Sequence, residues 1–125
     1  MAAVQGMTRR RAAVLAGLLA AAGVAAAEPP APGRYQAELC VSIGSAAPNC
    51  GPAAAWVPAR GRLQLRVSDI VYRLALHTSQ VDVVLMHGTM QIDGFVAPYD
   101  WAGEVLRFDD REKSTRYEVR LLKPA

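Results

Sequence analysis

Apolar and polar residues alternate through residues 63–93, and this stretch sets the expectation for the whole domain. Leucine and valine alternate with polar residues up to position 67, and a second alternation begins at Ile70 after a shift of one position. Successive side chains of a β-strand point to opposite faces, so a period of two predicts half-buried strands. A shift of one position would turn every later side chain over, so Ser68 and Asp69 predict a bulge or a tight turn, and we favour a bulge or a sheet corner.

The same alternation recurs in residues 34–43, 104–108 and 115–122, and no segment of this part shows the period of an amphipathic helix. A proline-rich lead-in, residues 28–33, precedes what we predict to be a single all-β domain, residues 34–125. Seven or eight strands joined by short turns favour an antiparallel meander. We expect a small barrel rather than a two-layer sandwich, because closure removes the two exposed edge strands.

Three segments break the alternation. Residues 44–52 have the Gly, Pro and Asn composition of a loop, and residues 53–59 fit a short edge strand. Residues 97–103 contain Pro, Asp and Gly, which predicts a turn packed against one end of the sheet.

Residues 1–27 carry the pattern of a cleavable signal peptide, which predicts a periplasmic or secreted protein. Arginines at 9–11 precede an uncharged, alanine-rich run over residues 12–27, which ends in small residues suited to cleavage. A retained membrane anchor is the alternative, but this run is shorter than the ~20 residues that a membrane-spanning helix needs. Export by Sec or by Tat, and a start at Met1 or at Met7, both stay open.

The basic character of the chain comes mainly from the signal peptide. The whole sequence has 14 Lys and Arg residues against 11 Asp and Glu residues, whereas residues 28–125 have 11 of each. A formally neutral domain gives no support to binding of nucleic acid or of an anionic membrane.

Cys40 and Cys50 predict one disulfide, because two cysteines in an exported chain most simply pair. The segment between them is rich in Gly, Pro and Asn and can turn back on itself. A redox or metal pair is disfavoured, since the spacing is not C-x-x-C and no histidine lies nearby in sequence.

Met86, His87 and Met90 are candidate copper(I) ligands, because thioether and imidazole groups suit that ion. Met86 and His87 point to opposite faces of a strand, so only a tight turn at Gly88 could join them. We expect the methionines to pack in the core and His87 to lie at a turn, and we expect no cofactor.

No pattern in the chain assembles a catalytic site. The sequence lacks G-x-S-x-G and both common phosphate-binding loops, and its cysteines are expected to be oxidised. We therefore expect a protein that is not an enzyme.

The candidate binding residues are Phe95, Tyr99 and Trp101, because exposed rings on a rigid sheet often anchor a partner. The same rings could instead close one end of the core. The leading hypothesis is binding of a partner protein or a small apolar ligand in a barrel mouth. A copper-binding periplasmic protein and an inhibitor of a cell-wall or host hydrolase are the alternatives. In size and architecture the chain resembles the periplasmic lysozyme inhibitors, without a motif whose residues correspond.

Overall fold

The computed structural model describes residues 29–125, so the predicted signal peptide, residues 1–27, lies outside the described residues. Eight antiparallel strands form a closed barrel in which each strand pairs with the next along the chain and the last pairs with the first. The strands are β1 (Gly33–Ile43), β2 (Asn49–Val57), β3 (Arg62–Val67), β4 (Ile70–Leu76), β5 (Gln80–His87), β6 (Met90–Ala102), β7 (Val105–Asp110) and β8 (Thr115–Pro124). The all-β prediction is confirmed, and so is the barrel. Within residues 29–125, no helix is long and apolar enough to cross a membrane.

The alternating pattern fills the barrel interior with aliphatic and aromatic side chains. Leu65, Leu106 and Val119 come from three different strands and are fully buried. Burying a side chain of this size stabilises a fold by roughly 1.5–3 kcal/mol. The polar residues between them face the solvent.

β6 extends to Ala102 and so covers all but the last residue of the segment predicted to be a turn, residues 97–103, which makes that prediction wrong. Pro98 is opposite Gln80 of β5, and the next residue, Tyr99, is opposite Phe108 of β7. The proline therefore lies where β6 changes its partner, and its missing N–H falls at the end of a ladder. A strand tolerates proline at such a position.

β2 likewise begins inside the predicted loop, at Asn49, and it pairs with both β1 and β3, so the short edge strand predicted over residues 53–59 is wrong. β2 pairs with β3 only over residues 54–56, and Pro52 lies beyond that short ladder. In the β1–β2 ladder, Pro52 is opposite Glu38. The prediction of a loop over residues 44–52 therefore fails at its carboxyl end, again because proline lies where only one neighbouring strand is present.

The connections at positions 68–69 and 88–89 are tight turns. Ser68 has a φ of 54° and Gly88 a φ of 63°, the left-handed conformation that tight hairpin turns require. The change of phase after Val67 is thus a turn between β3 and β4 rather than a bulge within one strand.

Two bulges push apolar side chains out of the barrel wall. Ile92 is the extra residue between two β6 positions that pair with adjacent residues of β5, and Leu122 is the extra residue where β8 meets β1. The two side chains are 50% and 53% exposed. A bulge leaves one residue without a partner and bends the strand, which explains why these positions depart from the alternation.

A cluster of aromatic rings fills the interior towards the end of the barrel that carries the β5–β6 and β7–β8 turns, which we call the lower end. The Tyr117 ring is stacked 5.1 Å from Phe108 and 5.9 Å from Phe95 between ring centroids, and it meets Tyr72 edge-on at 6.0 Å. Such pairs add about 0.5–1.5 kcal/mol each beyond their buried area.

An ion bridge crosses the lower end from the β7–β8 turn to β6. Lys113 donates to the Asp93 carboxylate, and its Nζ lies 3.7 Å from Oδ2 of the buried Asp110. The hydrogen bond from Lys113, with a second from the Gly94 N–H, holds the pKa of Asp93 below its usual value. The bridge therefore links the β7–β8 turn to a part of β6 that does not pair with β7.

Burial of Tyr117 makes the free energy of unfolding decrease at high pH. Burial raises the pKa of Tyr117 from 10.0 to about 12, with smaller contributions from Tyr72, Asp110 and Asp93. The neutral phenol is thus favoured by folding, so its contribution is complete below pH 10 and is lost as the pH rises towards 12. We expect the free energy of unfolding to fall over this interval and to fall less in Tyr117→Phe. Urea unfolding at several pH values measures this, and an identical fall in the variant would contradict it.

Candidate functional site

A groove lies at the opposite, upper end of the barrel, where β1 and β8 close the ring beside the β6–β7 turn. We call it the Trp101 groove, and its volume is about 470 Å³. Its apolar lining is formed by Pro30, Tyr35, Trp101, Leu121, Leu122 and Pro124. Glu104 and Lys123 add one charge of each sign to the lining.

Trp101 is held at the groove by the end of β6. It lies opposite Leu106 of β7, a fully buried residue, and packs against the hydrophobic core while staying partly exposed. Gly103 then turns the chain with a φ of 65°, a conformation that glycine adopts without strain. The indole is therefore fixed on a rigid strand with part of its surface facing the solvent.

The first and last strands supply the other wall. The Tyr35 hydroxyl donates a 2.6 Å hydrogen bond to the carbonyl of Ala31, which holds the proline-rich lead-in beside the groove. The β8 bulge directs Leu122 outwards next to Leu121. An exposed leucine beside a proline-rich segment makes this wall apolar.

The three predicted binding residues share one face of β6 but do not form one site. Phe95 belongs to the aromatic cluster of the interior, stacked on Tyr117. The Tyr99 hydroxyl donates a 2.5 Å hydrogen bond to the carbonyl of His77, which ties β6 to the β4–β5 connection. Trp101 lies six positions along the strand from Phe95, roughly 20 Å away. Of the three, only Trp101 lines the groove, whereas Phe95 and Tyr99 pack against the hydrophobic core of the barrel.

The candidate copper ligands lie near the β5–β6 turn. His87 is opposite Met90, whereas Met86 is opposite Gln91. Met90 is 66% exposed, so the expectation that both methionines pack in the core is wrong. Alternation along β5 then directs the Met86 side chain away from His87. The second histidine, His77, lies at the other end of the barrel, 3.1 Å from the Asp82 carboxylate.

The predicted disulfide joins Cys40 of β1 to Cys50 of β2. The two residues are directly opposite each other in the register. In the described part of the chain, Glu38 brings a carboxylate oxygen within 4.8 Å of both sulfurs. Both sulfurs are bonded to each other, so they cannot serve as thiolate ligands to a metal.

A second cleft, of about 420 Å³, is lined by residues of β6, β7 and β8, with Tyr99 among them. Arg107 donates two hydrogen bonds to the Asp100 carboxylate, at 3.1 and 2.7 Å. This fork holds the pKa of Asp100 below its usual value. The carboxylate is therefore ionised and paired, which suits a structural contact better than proton transfer.

The sequence analysis identified Trp101 but missed Tyr35, Leu121 and Leu122. These residues reach the groove because β1 pairs with β8, a contact between the two ends of the domain. The one local signal was the pair of adjacent leucines at 121 and 122, which interrupts the alternation of the last strand.

A scan against protein-family models and searches of curated proteins and of solved structures found no match to this chain.

Proposed function

We propose that this chain is an exported, non-enzymatic binding protein whose Trp101 groove receives an apolar segment of a partner protein. The observation that carries the proposal is the groove itself, an open and mainly apolar depression on a rigid barrel, with a tryptophan in its wall. Tryptophan is enriched among the residues that dominate binding energy at interfaces.

The filled interior favours this surface over the inside of the barrel. Fully buried side chains from β3, β5, β7 and β8 meet in the interior. A ligand inside the barrel would have to displace them, whereas the groove offers space without repacking the core. A volume of about 470 Å³ suits a few side chains of a peptide or a small apolar molecule.

The lining of the groove supports a binding role. It is mainly apolar and adds one charge of each sign, Glu104 and Lys123. A pocket that binds by apolar contact has this composition, with a small number of polar groups that fix the orientation of the ligand.

A neutral apolar fluorophore, N-phenyl-1-naphthylamine, tests the groove. We expect Leu122→Ser to weaken its binding at least fivefold, because the substitution removes exposed apolar surface from the groove wall. Fluorescence titration of the purified protein measures the affinity.

Val96→Ser is the matched control, because Val96 is also an exposed apolar residue, 59% accessible, but lies on β6 away from the groove. Equal weakening by the two substitutions, or none by Leu122→Ser, would overturn the proposal. A chain that binds the fluorophore at the groove but captures no peptide from an apolar peptide library would instead be a small-ligand carrier.

A partner that is itself a hydrolase would make the protein an inhibitor. Lysozyme activity measured with and without an excess of the protein tests that case directly. Inhibition that Leu122→Ser abolishes and Val96→Ser preserves would place the inhibitory contact at the groove.

A further inference from the structure

Four arginines on the outward face of β1, β3 and β4 surround a tryptophan and a glutamine. We call this surface the arginine face, and its residues are Arg34, Trp56, Arg62, Gln64, Arg66 and Arg73. It lies on the barrel wall, separate from the residues that line the Trp101 groove.

The register places these side chains in one continuous row. Arg34 is opposite Trp56, Trp56 is opposite Gln64, and Gln64 is opposite Arg73. The row crosses three spaces between strands, roughly 14 Å. Arg62 and Arg66 lie two positions on either side of Gln64, and both are therefore diagonal neighbours of Arg73.

The positive charge of this face is not neutralised by ion pairs. Among residues 29–125, the ion pairs within 4.0 Å use His77, Arg107, Lys113 and Arg116, and they leave the four arginines of the face without a carboxylate partner. Asp82 shares a shallow cleft with Arg62 and Arg73 but is held at 3.1 Å by His77.

The neutral sum of the domain conceals a separation of charge. Residues 93–118, on the β6 to β8 side of the barrel, contain seven acidic residues against four basic ones. The arginine face is on the β1 to β4 side. Neighbouring like charges on a sheet cost stability. An anion bound across them would relieve that repulsion.

Trp56 and Gln64 indicate which kind of anion fits. With Arg34 and Arg66 they line a shallow cleft of about 240 Å³. The Arg34 guanidinium lies 5.1 Å from the indole centroid, and Trp56 is still 38% exposed. An indole offers an apolar surface to the C–H groups of a sugar ring, an amide bonds hydroxyl groups, and guanidinium groups bind carboxylates in pairs.

We propose that the arginine face binds an acidic polysaccharide, with its carboxylates on the arginines and one sugar ring against Trp56. Single-stranded nucleic acid fits less well, because its sites stack successive bases on several aromatic rings. On the outward faces of β1 to β4 in the described chain, Trp56 is the one aromatic ring.

Oligomers of polygalacturonate, a uronic-acid polymer, are the probe. We expect the double substitution Arg66→Gln with Arg73→Gln to weaken their binding at least tenfold, measured by calorimetry on the purified protein. Trp56→Ala is expected to weaken binding at least threefold without changing its dependence on salt, because it removes the sugar contact and no charge. Neutral dextran should not bind.

The matched control is Arg111→Gln with Arg120→Gln, which removes the same charge from exposed positions on the β7 to β8 side. It should change the affinity less than twofold. Equal losses in the two double variants would mean attraction by net charge alone and would overturn the proposal. So would the absence of binding in 0.15 M salt, or tighter binding of an oligothymidylate of equal charge, which would assign the face to nucleic acid.

Discussion

Replacing Phe108 by alanine is expected to lower the free energy of unfolding by about 3–5 kcal/mol, the largest effect of any change considered for this barrel. Phe108 is only 3% exposed, and its ring is stacked on Tyr117 and tilted against Phe95 at 6.2 Å. Alanine would leave a cavity that β6 and β8 cannot close, because both strands are fixed by their ladders to other strands. Urea unfolding followed by circular dichroism measures the loss.

Phe108→Leu is the control for this prediction. Leucine retains most of the buried apolar volume but not the ring stacking, so we expect a clearly smaller loss than in Phe108→Ala. A loss below 1 kcal/mol in the alanine variant would show that the aromatic cluster is not tightly packed, and it would reopen the interior as a ligand site.

Removing the disulfide is expected to cost about 2–3 kcal/mol, the second large effect. The bond closes a short loop between β1 and β2, at a sequence separation of 10 residues. It ties the part of β2 that β3 does not reach, since the β2–β3 ladder covers only residues 54–56. Loss of the disulfide therefore destabilises a segment of β2 that pairs with only one other strand.

The double variant Cys40→Ser with Cys50→Ser isolates this effect from cavity formation. Neither cysteine belongs to the buried core, so serine leaves no large void. Its midpoint in urea should match that of the wild-type protein under reducing conditions and lie below that of the oxidised protein. Equal midpoints for the oxidised and reduced proteins would contradict the prediction.

Local alternation was sufficient to predict most of the barrel, because strand faces are set by neighbouring residues. The strands from Arg62 to His87 and the turn at Gly88 follow from the sequence alone, whereas the bulge favoured at Ser68 is a turn. The loop and turn predicted around Pro52 and Pro98 are wrong, since proline excludes a strand only where a ladder needs its N–H. Whether a neighbouring strand is present at that point is a property of the closed barrel and not of the local sequence.

The candidate sites were predictable only in part, and for the same reason. Trp101 was identified as an aromatic residue in a predicted turn, but its neighbours Tyr35 and Leu122 come from the two ends of the domain. The arginine face was hidden because the sum of charges is zero, and only the register brings Arg34 and Arg73 into one row.

The pairing of β1 with β8 has a consequence for the order of folding. The other seven ladders join strands that follow each other in the chain, so they can form as local hairpins at a small entropic cost. The β1–β8 ladder joins residues about 80 positions apart, as in the pair Cys40 and Glu118, and its closure is the slow, non-local step. The Trp101 groove is built from that ladder, so a ligand in the groove would bind only the completed ring and would slow its opening.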